Sequence, residues 1–305
     1  MSGSEGRRLE GPIRTIGVVY REHTAEVLAI VDRLREWAAS EGIDVRIEEK
    51  AGRGVQPSLD LQSQPVDLVV ALGGDGTFLR ASRLAVGTDA PVLGINIGRL
   101  GFLTAIPDSY LEGGLSQVVS GDAVLESRFR LRAKIQGEGG MKGTEFFGLN
   151  DVVVHTVGAA RVTPLRLSVG DASDYDAMEE VGSFAADGVI VSTPTGSTAY
   201  SMSAGGPIIT PDVDAIVVTP ICPHSLAVRP LVLPAHRTVC IGALEPEAQH
   251  QLTVDGQVVH QLEPQERVFV AREERPMSLV RLPGQTFFNR LPTKLHWAAR
   301  PPERA

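Results

Sequence analysis

Three glycines enclose one acid in Gly73-Gly74-Asp75-Gly76-Thr77-Phe78-Leu79, directly after the apolar run VDLVVAL at residues 66–72. A buried strand that ends in glycines and turns into a helix is where open α/β sheets bind ligands, at the carboxyl ends of their strands. Glycines let the backbone approach a phosphate closely, and a helix start adds N–H donors and a favourable dipole. Asp75 is the odd member, because its charge repels phosphate. A carboxylate at that place suits a base or a hydroxyl acceptor better than a phosphate cradle. The same residues also describe a tight turn with an Asp N-cap. They do not form a dinucleotide-type G-x-G-x-x-G, and G-x-x-x-x-G-K-[ST] occurs nowhere in the chain.

A second concentration of polar groups begins at Asp187-Gly188, continues through the strand-like VIVS and runs on as Thr193-Pro194-Thr195-Gly196-Ser197-Thr198-Ala199-Tyr200-Ser201-Met202-Ser203-Ala204-Gly205-Gly206-Pro207. Hydroxyls and free N–H groups at a helix start suit a polar ligand, and Tyr200 offers a face on which a base could stack. A Ser/Thr-capped helix reads the same way. A third segment, Phe147-Gly148-Leu149-Asn150-Asp151-Val152-Val153-Val154-His155, puts an amide and a carboxylate at the head of an apolar strand, a pairing that suits ribose hydroxyls or a simple polar turn. His155 and His224 lie beside apolar residues and read as structural histidines.

The elements that must position these groups change character along the chain. Residues 13–20, 43–47, 66–72 and 91–97 read as strands. Between them, 24–40 places Val27, Leu28, Val31, Leu34 and Trp37 at helical spacing, 51–65 reads as loop and 77–86 suits a helix. Near-continuous apolar strands alternating with helices predict a parallel sheet covered on both faces. Beyond residue 122 the chain turns into short β segments near 125–136, 145–156, 163–169, 188–193, 214–219, 228–233, 238–244, 250–255, 266–272 and 277–282, with one helix at 197–204. That predicts a mostly antiparallel β domain. The expected fold is therefore a Rossmann-like α/β domain over 1–124, carrying the GGDG loop, and a larger, sandwich-like β-rich domain over 125–284.

Composition narrows the function classes. The 305 residues are 43% apolar and 22% charged, with a net charge of −8, so nothing steers the whole protein towards nucleic acid or anionic membranes. The apolar runs fall short of a membrane span, the N-terminus MSGSEGRRLEGP has no signal-like core, and two cysteines, Cys222 and Cys240, are too few for a disulfide framework. The expectation is a cytoplasmic protein with reduced thiols.

Taken in order, GGDGTFL (73–79), GINIGRLGFL (94–103), LNDVVVH (149–155), DGVIVSTPTGSTAYSMSAGGPI (187–208), TPICPHSL (219–226), VDGQ (254–257) and FFNRLPTKLHW (287–297) resemble the bacterial NAD kinases. GGDGT alone is shared with diacylglycerol- and sphingosine-type lipid kinases; the 187–208 block is the specific part. The resemblance implies transfer of the γ-phosphoryl group of ATP, or of polyphosphate, to the 2′-hydroxyl of the adenosine ribose of NAD, giving NADP. It further implies that Asp75 handles that hydroxyl and that Gly73, Gly74 and Gly76 admit the phosphates. Asn150 and Asp151 would hold ribose and adenine groups, and Thr198, Ala199, Tyr200, Ser201, Met202 and Ser203 would line their pocket. Asp187 would face the nicotinamide end, Gln257 would touch the dinucleotide, and Arg80 and Arg161 would supply cationic or polar contacts. Mg²⁺ would arrive with the phosphoryl donor. A homodimer or homotetramer is implied, with residues 285–305 packing back on the first domain.

Two departures stand out. Many relatives carry Asn-Glu where this chain has Asn150-Asp151, and many carry Arg where it has Ala185. The acidic stretch DASDYDAMEEVGSF at 171–184 reads as a linker. A lipid or sugar kinase would need an apolar acyl groove or a membrane-binding face, and the sequence offers no basic amphipathic helix to supply one. A non-catalytic NAD(H)-binding regulator would have no use for Asp75 beside phosphates.

Overall fold

The computed structural model describes residues 7–9, 11–21, 24–48, 59–98, 101–157, 163–171, 177–245 and 249–295. The chain divides into two compact units: residues 1–127 with 277–305, and residues 128–276.

The first unit contains β1 (Arg7–Arg8), β2 (Thr15–Tyr20), α1 (Ala25–Ser40), β3 (Asp44–Ile47), β4 (Leu68–Gly73), α2 (Asp75–Leu84), β5 (Val92–Asn96), β6 (Ile106–Pro107), α3 (Leu111–Val119) and β7 (Val124–Arg128). Its sheet runs β1-β7-β20-β5-β4-β2-β3, with β6 beside β5 and β20 formed by Met277–Arg281. Parallel pairing joins β3, β2, β4 and β5, and β20 joins β5 in parallel at Leu279 and Val92. Every residue of β4 and β5 is buried, as two-sided coverage by helices requires.

Helix α1 starts at the Thr24 N-cap, whose hydroxyl accepts from the Val27 amide at 3.3 Å. It buries Val27, Ile30, Val31, Leu34, Trp37 and Ala38. Ile30 holds the place expected of Leu28, which is exposed. Helix α3 was not foreseen from LEGGLSQVV, since paired glycines weaken helix propensity. Packing explains it. Leu111, Leu115 and Val118 are buried, and a Cβ at Gly114 would run into Ile106. Trp37 donates to Ser116 at 3.2 Å, and Arg33 forks onto Glu112 at 2.9 and 2.8 Å, which ties α3 to α1. The C-terminal part closes with α5 (Phe287–Leu295).

The second unit holds two six-stranded antiparallel sheets. One runs in the order β15 (Leu231–Pro234), β14 (Ala215–Ile221), β13 (Gly188–Ser192), β10 (Asp151–Thr156), β17 (His250–Val254), β18 (Gln257–Leu262). The other runs β12 (Glu179–Ala186), β11 (Thr163–Asp171), β16 (Arg237–Ala243), β19 (Arg267–Arg272), β8 (Leu131–Gly137), β9 (Gly140–Gly148). Alternate residues meet in one core: Val152, Val154, Val189, Val191, Ile216 and Val218 from the first sheet, Leu131, Ala133, Leu165, Val239, Ile241 and Val268 from the second. The α/β-plus-antiparallel-β fold class expected from the sequence is the one observed.

The stretch read as an acidic linker corrects in part. Residues 179–186 form β12, an edge strand paired with β11, and Glu180 faces Arg166 at 3.5 Å. Charged residues on an exposed edge hide the alternation that marks a strand and discourage edge-to-edge association.

Candidate active site

Each unit carries its own set of the sequence-derived residues. In the first, β4 ends at Gly73, where a Cβ would collide with the Thr77 side chain. Gly74 caps α2 without a side chain to donate or accept, and Asp75 is the first helical residue. The Asp75 carboxylate is fixed from the far side. Its Oδ2 accepts the Phe102 amide at 2.9 Å and its Oδ1 accepts the Leu103 amide at 3.0 Å. Gly101 lies so close that any Cβ there would overlap this carboxylate. Asp75 therefore has one orientation, with each oxygen keeping a second lone pair for another donor. Gly74 and Gly76 both border open space.

Arg80, one turn along α2, turns its guanidinium to the Glu48 carboxylate at 2.8 Å and to the Tyr20 carbonyl. Glu48 is buried just after β3 and Tyr20 ends β2, so these contacts brace α2 against the ends of both strands.

In the second unit the ends of β10, β13 and β17 meet. Asp151 pairs with Ser192, and Val152 pairs with Val254. Asp255 and Gly256 both have positive φ, 47° and 73°, in a two-residue turn leading into β18 at Gln257. From that turn the Asp255 carboxylate accepts the backbone amides of Leu149 at 3.0 Å, Asn150 at 2.8 Å and Asp151 at 3.3 Å. The Thr193 hydroxyl donates to the Leu149 carbonyl at 2.6 Å and accepts the Gly196 amide at 3.0 Å. Gly196 packs so closely on the Asn150 backbone that a Cβ there would overlap it.

These bonds hold Asn150 half-buried and Asp151 buried at 4% exposure. Burial, with the neighbouring Asp255 charge adding to it, pushes the Asp151 carboxyl up to about 7. The neutral form donates one hydrogen bond and accepts others, which widens what Asp151 offers a hydroxyl-rich ligand.

A 3₁₀ turn over Gly196–Thr198 leads into the short helix α4 (Tyr200–Ser203). Ala204, just after α4, packs on Val153, Ile190 and Ile221, the outward-facing residues of β10, β13 and β14. Tyr200 is 46% exposed. Its phenol is pushed up by partial burial, with Cys222, Asp187 and Asp151 adding smaller contributions. Asp187 sits exposed just before β13, at the opposite end of that strand from Ser192. Thr198, Ala199 and Met202 are partly exposed, whereas Ser201 is fully buried with its hydroxyl 2.9 Å from that of Thr219. Arg161 lies outside the described residues. Ala185 belongs to β12, where its carbonyl accepts the His224 amide at 2.9 Å.

Both parts of the chain match known families. Residues 16–123 match the family model of the ATP-NAD kinase N-terminal domain, and residues 149–282 match that of the C-terminal domain. The chain belongs to the ATP-NAD kinase family. It is 41% identical to the NAD kinase of Gemmatimonas aurantiaca over 284 residues, covering 92% of this chain and 96% of that one. The NAD kinase of Heliobacterium modesticaldum is 38% identical over 285 residues, covering 92% and 98%. Among solved structures, an NAD kinase from Archaeoglobus fulgidus in complex with ATP superposes with a TM-score of 0.71 at 26% identity, covering 92% of this chain and 98% of that one. A yeast NADH kinase complexed with NADH shares the fold, with a TM-score of 0.84 at 24% identity, covering 99% and 95%.

Against that family background, sequence reasoning missed Asp255, the three-amide clamp. An Asp-Gly pair between two alternating strands is a strong hairpin signal and would have drawn attention to it. It also missed Gly101 and the backbone amides of 102 and 103, which carry no side-chain signature.

Proposed function

We propose that this chain phosphorylates the 2′-hydroxyl of the adenosine ribose of NAD, with Mg-ATP as donor, and releases NADP and ADP. The observation that carries the reading is the Asp75 carboxylate, held by two backbone amides at the start of α2 among glycines open to phosphate. In the step itself the ribose hydroxyl oxygen forms the new bond to the γ-phosphorus as the bond to the bridging oxygen of ADP breaks. The hydroxyl proton passes to Asp75 and on to solvent. Phosphoryl transfer asks a protein mainly for positioning and charge neutralisation, with a carboxylate orienting the nucleophile.

In this reading Asn150 and Asp151 bind ribose and adenine groups, Thr198, Ala199, Met202 and Ser203 line the pocket, and Tyr200 lends its exposed ring. Asp187 and Gln257, both exposed at strand ends, meet the rest of the dinucleotide. Arg80 acts through Glu48 to hold α2 in place. Mg²⁺ enters as part of the donor complex. Among the described residues no helix is long and apolar enough to cross a membrane. A cytoplasmic homodimer or homotetramer completes the reading.

The test is NADP formation from NAD and Mg-ATP, detected with an NADP-specific dehydrogenase, beside Asp75→Asn and with polyphosphate replacing ATP in parallel. General-base loss costs about 10²- to 10⁴-fold in turnover. Turnover that survives Asp75→Asn unchanged would remove Asp75 from the chemistry, and no turnover with either donor despite NAD binding would overturn the kinase reading.

A further inference from the structure

Two arginines far along the chain reach the carbonyls of the same two residues whose amides hold Asp75. The guanidinium of Arg281, on β20, donates through Nη2 to the Phe102 carbonyl at 3.1 Å and through Nη1 to the Leu103 carbonyl at 3.2 Å. Its Nε faces the Glu126 carboxylate at 3.3 Å. Arg290, on α5, donates to the same Phe102 carbonyl at 2.5 Å. Both arginines are buried, at 5% and 7% exposure. The peptide joining Phe102 to Leu103 is thus engaged at both ends: its carbonyl takes two guanidinium N–H groups while its N–H points to Asp75 Oδ1.

We infer that Arg281 and Arg290 are positioning residues for Asp75, acting through the backbone of residues 102–103. The inference rests on the role given to Asp75 above. Its physical basis is threefold. First, buried guanidinium groups are costly to desolvate and stay only where several acceptors satisfy them. Here the carbonyls of Phe102 and Leu103 are among those acceptors, with the Glu126 carboxylate beside Arg281. Second, a peptide polarised at its carbonyl is a stronger donor at its N–H, so hydrogen bonds in series reinforce one another. Third, the C-terminal stretch adds several anchors to a segment otherwise held by the Gly101 amide on the Thr104 hydroxyl at 3.1 Å and the Ala105 amide on the Gly94 carbonyl at 2.8 Å. Gln285 donates to the Ala105 carbonyl at 2.6 Å, and the Phe287 ring lies 6.3 Å from that of Phe102. A planar fork that spans two successive carbonyls is a task for Arg and not for Lys, whose ammonium is a single point donor.

The test compares Arg281→Lys, Arg290→Lys and Arg281→Met in the full chain, alone and combined with Asp75→Asn. Arg33→Met serves as a stability control, because it breaks the α1–α3 ion pair without touching residues 101–105. Displacing a catalytic group by about 1 Å can cost 10²-fold. Arg281→Lys is therefore expected to lower kcat about 10- to 100-fold, with the KM for NAD and for Mg-ATP within about threefold. In the Asp75→Asn background the same change should alter residual turnover less than about twofold, because the positioned group is already gone. Amide hydrogen exchange at Phe102 and Leu103, read on the same proteins, should speed up about tenfold or more in Arg281→Lys and stay unchanged in Arg33→Met.

Unchanged kcat in both lysine variants, or equal losses with and without the Asp75 carboxylate, would overturn the inference. Exchange rates at 102 and 103 that do not move in Arg281→Lys would overturn it as well, even where Asp75→Asn turnover is too low to measure. An Asp75→Asn protein with full turnover would instead overturn the role of Asp75 itself, so the two failures are told apart.

Discussion

The carboxyl group of Asp151 is buried beside that of Asp255, which is saturated by the amides of Leu149, Asn150 and Asp151 itself. Three N–H donors point at the Asp255 carboxylate, and its negative charge works against ionising the buried Asp151 beside it. Its carboxyl is pushed up to about 7, first by burial and then by Asp255. A group whose folded value exceeds its unfolded value binds its proton more tightly when folded. Its stabilising contribution is complete below about pH 4 and is lost as the pH rises towards 7. Asp151→Asn, which cannot ionise, should therefore gain stability relative to the parent between pH 4 and 7. The upper bound is about 4 kcal/mol, and the difference levels off above 7. Denaturant midpoints of the two proteins at pH 5 and pH 7.5 decide the matter; a constant difference would place the titration elsewhere.

Ser201 separates structure from ligand binding within the hydroxyl-rich block. Its neighbours Tyr200 and Ser203 are exposed, yet its own hydroxyl is fully buried against Thr219, and a Cβ at Gly206 would strike it. Ser201→Ala leaves the Thr219 hydroxyl without this partner and should cost about 1–3 kcal/mol. The KM for NAD should stay within about twofold, whereas Tyr200→Ala should raise it. Thermal denaturation and initial-rate kinetics on the two variants read these apart. A raised KM with unchanged stability in Ser201→Ala would put its hydroxyl in the ligand pocket after all.

The two-part architecture and the location of Asp75, Asn150 and Asp151 were legible because each rests on a local pattern. β4 is apolar throughout and stops at glycines, and the core strands of the second unit alternate. What escaped depends on distant partners. Helix α3 exists because Trp37, Arg33 and Ile106 await it. β12 is an edge whose acids obscure its alternation. β18 is joined to β17 by a turn whose Asp255 was read only as part of VDGQ. The two amides on Asp75 belong to backbone 27 and 28 residues away, and Arg281 lies beyond that by 178 residues from Leu103. No spacing rule in one sequence connects them.

Gly101 offers a sharp probe of the Asp75 clamp. An added Cβ would overlap the Asp75 carboxylate itself, so Gly101→Ala must displace either the acid or residues 101–103. Turnover should fall about 10- to 100-fold, as a displacement of this size implies. The Asp75→Asn, Gly101→Ala double variant should be little slower than Asp75→Asn alone. Additive losses would mean that Gly101 serves something other than Asp75.

Gly76 supplies the opposite case, where stability and activity should move apart. It is the second residue of α2, it is exposed, and nothing lies within 4 Å of the position its Cβ would take. Ala is the better helix former there by about 0.5–1 kcal/mol, so Gly76→Ala should melt at the same temperature as the parent or higher. If the glycines after β4 are there to let phosphates reach the backbone at the start of α2, the added methyl group occupies that approach. The KM for Mg-ATP should then rise about tenfold or more, a loss of about 1.4 kcal/mol or more in donor binding, while the KM for NAD changes less. A Gly76→Ala protein with raised stability and unchanged kinetics for both substrates would assign the open face of this glycine to solvent, and would leave Asp75 as the only part of the GGDG loop that the reaction uses.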